Sequence, residues 1–209
     1  MKFCVLVSGG GSNLQSLIDH VQAGDIPAEL CGVISSREGA YALQRAAQHG
    51  IAATVISRKA FDSPQAYDAA LLGTIEQWGA DFLVLAGYLS ILGPSVIRRF
   101  PNRIINIHPA LLPSFGGKGY YGLNVHKKVL EYGVKVTGAT VHFVDEGTDT
   151  GPIILQDCLQ IRPGETPEEL QLRVMEIEHR ILPEAVALMA QNRLRVSGRI
   201  VTIEEEKQQ

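Results

Sequence analysis

A chain of 209 residues, 45% hydrophobic and 20% charged, carries enough apolar material for one sizeable core. Its formal charge of −3 gives no support to a broad polyanion-binding surface, so no nucleic-acid partner is expected. The apolar run at the N-terminus is too short for a signal peptide, and no stretch reaches bilayer-crossing length, so the expectation is a cytoplasmic protein without a membrane partner.

The first half alternates two periodicities. Short, largely apolar runs at residues 3–7, 30–34, 82–86 and 104–107 read as buried strands. Helical spacing fills residues 13–23, 41–49, 63–78 and 94–98. Buried strands alternating with helices predict an open, mostly parallel, Rossmann-like α/β sheet with helices on both faces. From about Val134 the pattern changes. Residues 136–143 and 153–161 are strands joined by a short loop, which predicts a mixed sheet toward the C-terminus. Thr166-Pro-Glu-Glu169 then opens a long helix: Thr caps, Pro takes the first turn and Glu closes a capping box. Leu170, Val174, Ile177 and Ile181 form its apolar stripe. Residues 194–203 suggest a small hairpin, and 204–209 are expected to fray. No repeat or linker interrupts the chain, so a single domain over 1–209 is expected. Cys4, Cys31 and Cys158 are odd in number and lack CxxC spacing, and they read as buried thiols of a reducing compartment.

Between the first strand and first helix lies Ser8-Gly-Gly-Gly-Ser-Asn-Leu14. Any βα turn can carry glycine, but three in a row exceed what a turn needs, and they expose backbone amides. Ser12 or Asn13 can cap the helix that follows, whose N-terminus favours an anion. The better-known phosphate loops do not fit. Leu14 stands where a dinucleotide fingerprint needs glycine, Ser35-Ser-Arg37 supplies no acid after the second strand, and Gly-Lys-Ser/Thr is absent. Leu14 also breaks the GxSxG elbow that would make Ser12 a nucleophile. A site for a small phosphorylated ligand remains.

None of the six histidines forms a tight metal-ligand pair, and no metal is expected. His20, His49 and His179 fall in helices and read as surface or capping residues; His126 begins a helical stretch and reads as exposed. His142, in a strand, can face a site or the outer side of the sheet. His108 differs because Asn106 accompanies it two residues earlier, on the same face of a strand that Pro109 stops. An imidazole suits acid–base work and an amide N–H suits a developing oxyanion, although both can also merely satisfy backbone groups. A carboxylate beside the imidazole would orient it and favour its charged form. Asp145, Glu146 and Asp149 share one irregular loop, and spacing does not choose among them.

Taken together, Asn106-Ile-His108-Pro-Ala-Leu-Leu-Pro113, Gly138-Ala-Thr-Val-His-Phe-Val144 and Asp149-Thr-Gly-Pro-Ile-Ile-Leu-Gln156 resemble the folate-dependent formyltransferases. With the glycine turn, the likeness covers roughly residues 1–195 and is to the branch acting on glycinamide ribonucleotide. The resemblance implies formyl transfer from 10-formyltetrahydrofolate, as co-substrate, to the ribonucleotide amine in purine biosynthesis. It implies a phosphate-binding half of about 1–100 and a catalytic and folate-binding half of about 101–200, in a monomer or homodimer. It implies Asn106, His108 and Asp149 as the catalytic trio, and Gly11, Ser12, Asn13 and Glu178 as contacts to the ribonucleotide. Tyr88, Leu89, Ser90, Ile91 and Leu92, with Asn106 and Val144, would line the folate pocket. Pro64 stands where relatives carry an arginine that contacts the folate, with Arg58 or Lys59 as candidate substitutes, and some relatives also carry arginine at the Ser90 position. The segment from Ser114 to Gly122 is longer than in some relatives, and its glycines and tyrosines suit either a mobile cover or a plain length variant. Rival activities are a formyltetrahydrofolate hydrolase, a formyltransferase acting on initiator tRNA, and a non-enzymatic nucleotide-binding module.

Overall fold

The computed structural model describes residues 1–205. The chain is an α/β protein with a mixed sheet, and it gathers into two compact units that divide between Ile105 and Asn106.

In the first unit, β1 (Lys2–Val7), β2 (Glu29–Ser35), β3 (Ala53–Val55) and β4 (Phe82–Leu85) stand in the order β3-β2-β1-β4, every pairing parallel. All residues of β1 after Lys2, and all of β4, are buried, so both faces of these strands are covered. Phe3 and Phe82 stack across the pair at 5.3 Å. Helices α1 (Ser12–Ala23) and α2 (Tyr41–Gln48) pack on β2, as the alternating pattern predicts. Helix α3 (Pro64–Trp78) begins where Ser63 accepts from the Ala66 amide and ends at Gly79 in the left-handed region. It buries Asp68, whose carboxylate accepts from the Gly93 amide and the Ser95 hydroxyl at the start of α4 (Pro94–Arg99). The three-residue β3 is too short and too exposed to leave a pattern in the sequence.

Strand β5 (Ile104–His108) carries the chain into the second unit. There β6 (Val136–Phe143) pairs antiparallel with β7 (Ile153–Gln160), with a register shift between Val141 and His142. β8 (Leu194–Ser197) and β9 (Ile200–Ile203) form the expected hairpin, and β9 adds parallel to β7, giving the order β6-β7-β9-β8. Helix α6 (Pro167–Ala190) has its capping box in place between Thr166 and Glu169, and buries Leu170, Val174, Ile177 and Ile181. It packs against β6, β7 and α5 (Leu123–Tyr132).

Three expectations change. His126 is buried within α5 instead of exposed, since it faces inward with Val125 and Val129. Only Cys4 is a buried thiol; Cys31 on β2 is half-buried, and Cys158 is exposed because β7 has one face open along much of its length. Glu204 is tied down instead of frayed: its amide donates to the Arg193 carbonyl and its own carbonyl accepts from Arg193 Nε. The remainder of that expectation, at residues 206–209, lies outside the described residues.

Candidate active site

The glycine turn occupies the first unit. Helix α1 starts at Ser12, so neither Ser12 nor Asn13 caps it; Gly11 holds the cap position at φ +73° with no side-chain cap bond. Two carbonyls of the turn are taken by α2, with the Ala42 amide donating to Gly9 at 3.1 Å and Arg45 Nε to Gly10 at 3.0 Å. A Cβ at Gly11 would lie 2.7 Å from Ala42 Cβ, so the turn packs directly on α2. A cavity of about 370 Å³ borders the turn, lined by residues 9–13 together with Tyr41, Arg45, Ala86 and Gly87. Small residues, a helix start without a side-chain cap and one arginine make a site suited to an anion.

A larger cavity of about 860 Å³ in the same unit is lined by Arg58, Lys59, Pro64, Leu89, Ser90 and Ile91, among others. Of the five consecutive residues from Tyr88 to Leu92, therefore, Leu89, Ser90 and Ile91 face one space. Tyr88 and Leu92 do not line it. The Tyr88 hydroxyl bonds to that of Tyr67, burial pushes its phenol well above the usual value, and Leu92 is buried in the core. Ile91 is 81% exposed and Leu89 46%, an apolar rim without protein cover. The Leu89 amide donates to Ser8 Oγ, which pairs with Ser36 Oγ, so this segment is fixed to the strand ends.

The second unit holds the side-chain chemistry. Asn106 and His108 project from β5 on one face, Asn106 half-buried and His108 almost completely buried. His108 Nε2–H donates to the Phe115 carbonyl at 2.8 Å, and Nδ1 lies 3.6 Å from Asp149 Oδ2. The same Oδ2 accepts from the Gly117 amide at 2.8 Å. Asn106 Nδ2 donates to His142 Nε2 at 3.0 Å, while His142 Nδ1–H donates to the Phe143 carbonyl at 2.8 Å. Burial lowers the pKa of His142, against the raising effects of the Phe143 carbonyl, Asp149 and Asp145. His142 Nε2 also stands 3.8 Å from Asp149 Oδ1.

Asp145 is occupied elsewhere, accepting from the Gly147 amide and Thr150 hydroxyl, which shapes the loop and leaves Asp149 beside the imidazole. The turn after β5, with its cis Leu112–Pro113 bond, is held by Thr140 Oγ1, which accepts from the Leu112 amide and donates to the Ala110 carbonyl. Glu178 is a half-buried residue of α6, and Val144 follows β6 half-buried. His126, missed in the sequence, is buried near enough to His108 that burial and that neighbour together push it down to about 4. Among the described residues, no three His, Cys, Asp or Glu side chains are grouped to hold a metal.

The formyl transferase family matches residues 1–186 of this chain. Phosphoribosylglycinamide formyltransferase of Haemophilus influenzae is 40% identical over 203 residues, covering 97% of this chain and 93% of that protein. The crystal structure of glycinamide ribonucleotide transformylase 1 from Symbiobacterium toebii superposes with a TM-score of 0.93 at 44% identity, covering 98% of this chain and 94% of the other. The trifunctional purine biosynthetic protein adenosine-3 of Bos taurus is 40% identical, but the chain spans only 20% of its length. The chain belongs to the formyl transferase family, and its full-length likeness is to the phosphoribosylglycinamide formyltransferases within it.

Proposed function

We propose that this chain transfers the formyl group of 10-formyltetrahydrofolate to the amine of glycinamide ribonucleotide, in de novo purine biosynthesis. The observation that carries the reading is the convergence of Asn106, His108 and Asp149 in a chain whose relatives of similar length are named for this reaction. The amine nitrogen attacks the formyl carbon, forming the new C–N bond and leaving an alkoxide on a tetrahedral carbon. Asn106 Nδ2 donates to that oxygen, joined by His108 once its ring has taken the amine proton, and one such donor is worth about two to three orders of magnitude in rate. Collapse breaks the bond to the folate nitrogen. The proton lost by the amine passes through His108, oriented by Asp149, to that leaving nitrogen. Atoms and charge balance without a redox partner, a metal or a covalent enzyme intermediate.

The ribonucleotide phosphate is assigned to the amides of Gly11, Ser12 and Asn13, with Glu178 a contact to the same substrate. Leu89, Ser90 and Ile91 are assigned to the folate, together with Asn106 and Val144, while Tyr88, bonded to Tyr67, and the buried Leu92 hold that segment in place. Three thiols, none in a disulfide, suit a reducing compartment such as the cytoplasm. Incubation with 10-formyltetrahydrofolate, with and without glycinamide ribonucleotide, tests the reading by tetrahydrofolate release. Release only with the amine is expected. Release without it would make the chain a hydrolase, and no release in either case would make it a binding module.

A further inference from the structure

The segment after cis Pro113 makes two backbone contacts to the pair just described. The Phe115 carbonyl accepts from His108 Nε2 at 2.8 Å, and two residues later the Gly117 amide donates to Asp149 Oδ2 at 2.8 Å. A carbonyl oxygen can only accept, so this bond requires the imidazole proton on Nε2. Between the two contacts sits Gly116, where a Cβ would lie 2.4 Å from Leu112 Cδ2 and 3.2 Å from Asp149 Cβ. A side chain there would displace the Leu112 methyl and press on Asp149, so glycine lets the segment lie against the carboxylate undisturbed. Phe115 itself adopts φ +53°, and its ring is held edge-on by Tyr120 at 6.2 Å and Tyr132 at 5.7 Å. A left-handed non-glycine residue anchored on two aromatic rings is over-determined by its surroundings.

We propose that the backbone of Phe115, Gly116 and Gly117 is a positioning clamp for the His108–Asp149 pair, committing Nε2 to the Phe115 carbonyl and leaving Nδ1 as the nitrogen that takes and returns the proton. The 3.6 Å between Nδ1 and Asp149 Oδ2 exceeds a direct hydrogen bond, so Nδ1 is not consumed by the carboxylate. Gly117 keeps that oxygen on the Nδ1 side of the ring. In formyl transfer, on which this inference rests, Nδ1 takes the proton from the attacking amine and delivers it to the leaving folate nitrogen. The glycines of the 114–122 segment therefore include one that shapes the site, beyond any role as a cover.

The test combines long-range 1H–15N spectra of the histidine rings with kinetics of Gly116→Ala, using Lys118→Ala as a control in the same segment. In the unsubstituted protein, with no substrate and at a pH that keeps the ring neutral, the His108 proton is expected on Nε2. In Gly116→Ala that preference should be lost, with kcat down about 100-fold and both KM values within about threefold. Lys118→Ala should stay within about threefold of the unsubstituted enzyme. The clamp is overturned by a neutral His108 proton on Nδ1 in the unsubstituted protein, which needs no variant to fold. It is equally overturned by Gly116→Ala losing rate with unchanged ring signals or keeping its rate, or by an equal loss in Lys118→Ala. An unsubstituted enzyme that transfers no formyl group would instead remove the proposed function, and the ring spectra would still be read.

Discussion

Asn106 donates through Nδ2 to His142 Nε2 at 3.0 Å, and His142 can accept that bond only because its own proton sits on Nδ1, held by the Phe143 carbonyl at 2.8 Å. The imidazole thereby decides which way the Asn106 amide faces. One N–H of Asn106 goes to His142 and the other is left to meet a developing oxyanion. Burial supports this arrangement by disfavouring the charged form of His142, which would place a second proton on Nε2.

His142→Phe keeps a ring of similar size in the strand and removes the acceptor. We expect kcat to fall about tenfold or more, with the KM for the folate donor within about threefold, since an oxyanion donor is misaimed but still present. In a double-mutant cycle the two sites should couple: adding His142→Phe to Asn106→Ala should cost little further rate. Full additivity in steady-state kinetics would separate the two residues.

Asp149→Asn removes the charge beside His108 Nδ1 while leaving an amide oxygen to accept from Gly117. Turnover should drop about 10²- to 10⁴-fold, the range spanned by positioned acid–base groups, while binding of the donor is retained. Single-turnover rates with equilibrium fluorescence titration of the folate check both halves. Near-normal turnover would take Asp149 out of the mechanism.

Acid should destabilise the protein through its buried imidazoles. His126 is pushed down to about 4 by burial and by His108, and burial also lowers His142. In the unfolded chain both protonate near the ordinary histidine value of about 6.5. Between these limits the unfolded state binds more protons, so stability rises with pH across the window. The contribution is fully present above about 6.5 and is lost as pH falls toward the folded value. Urea midpoints measured from pH 7.5 down to 4.5 should decline, and less steeply in His126→Gln; a flat profile would contradict the assignment.

Gly11→Ala places a Cβ 2.7 Å from Ala42 Cβ at a position whose φ is +73°. The turn must shift off α2, disturbing amides assigned to the phosphate. The expected outcome is a KM for the ribonucleotide raised about tenfold, with the donor KM little changed, because loss of an anion contact weakens that substrate alone. Initial-rate kinetics varying each substrate in turn distinguish this from a general loss of folding.

Local rules made much of this chain readable from its residues. Buried strands announce themselves because both faces must be apolar, as at β1 and β4. Thr166, Pro167 and Glu169 mark the start of α6 because capping is local hydrogen bonding within one turn. The two-residue period of a strand puts Asn106 and His108 on one face. Tertiary structure alone decided which partners meet them. Asp149 and Asp145 share a loop, and only folding commits Asp145 to Thr150 while bringing Asp149 beside His108. His142 and His126 carry no local sign of burial, since exposure depends on what packs against a helix or strand from far along the chain. The Phe115 and Gly117 contacts are backbone contacts, invisible in residue identity except for the glycine that permits them. Residue types and periodicity follow from short-range physics, whereas tautomers, amide orientations and the choice among carboxylates depend on groups that only the folded chain brings within hydrogen-bonding distance.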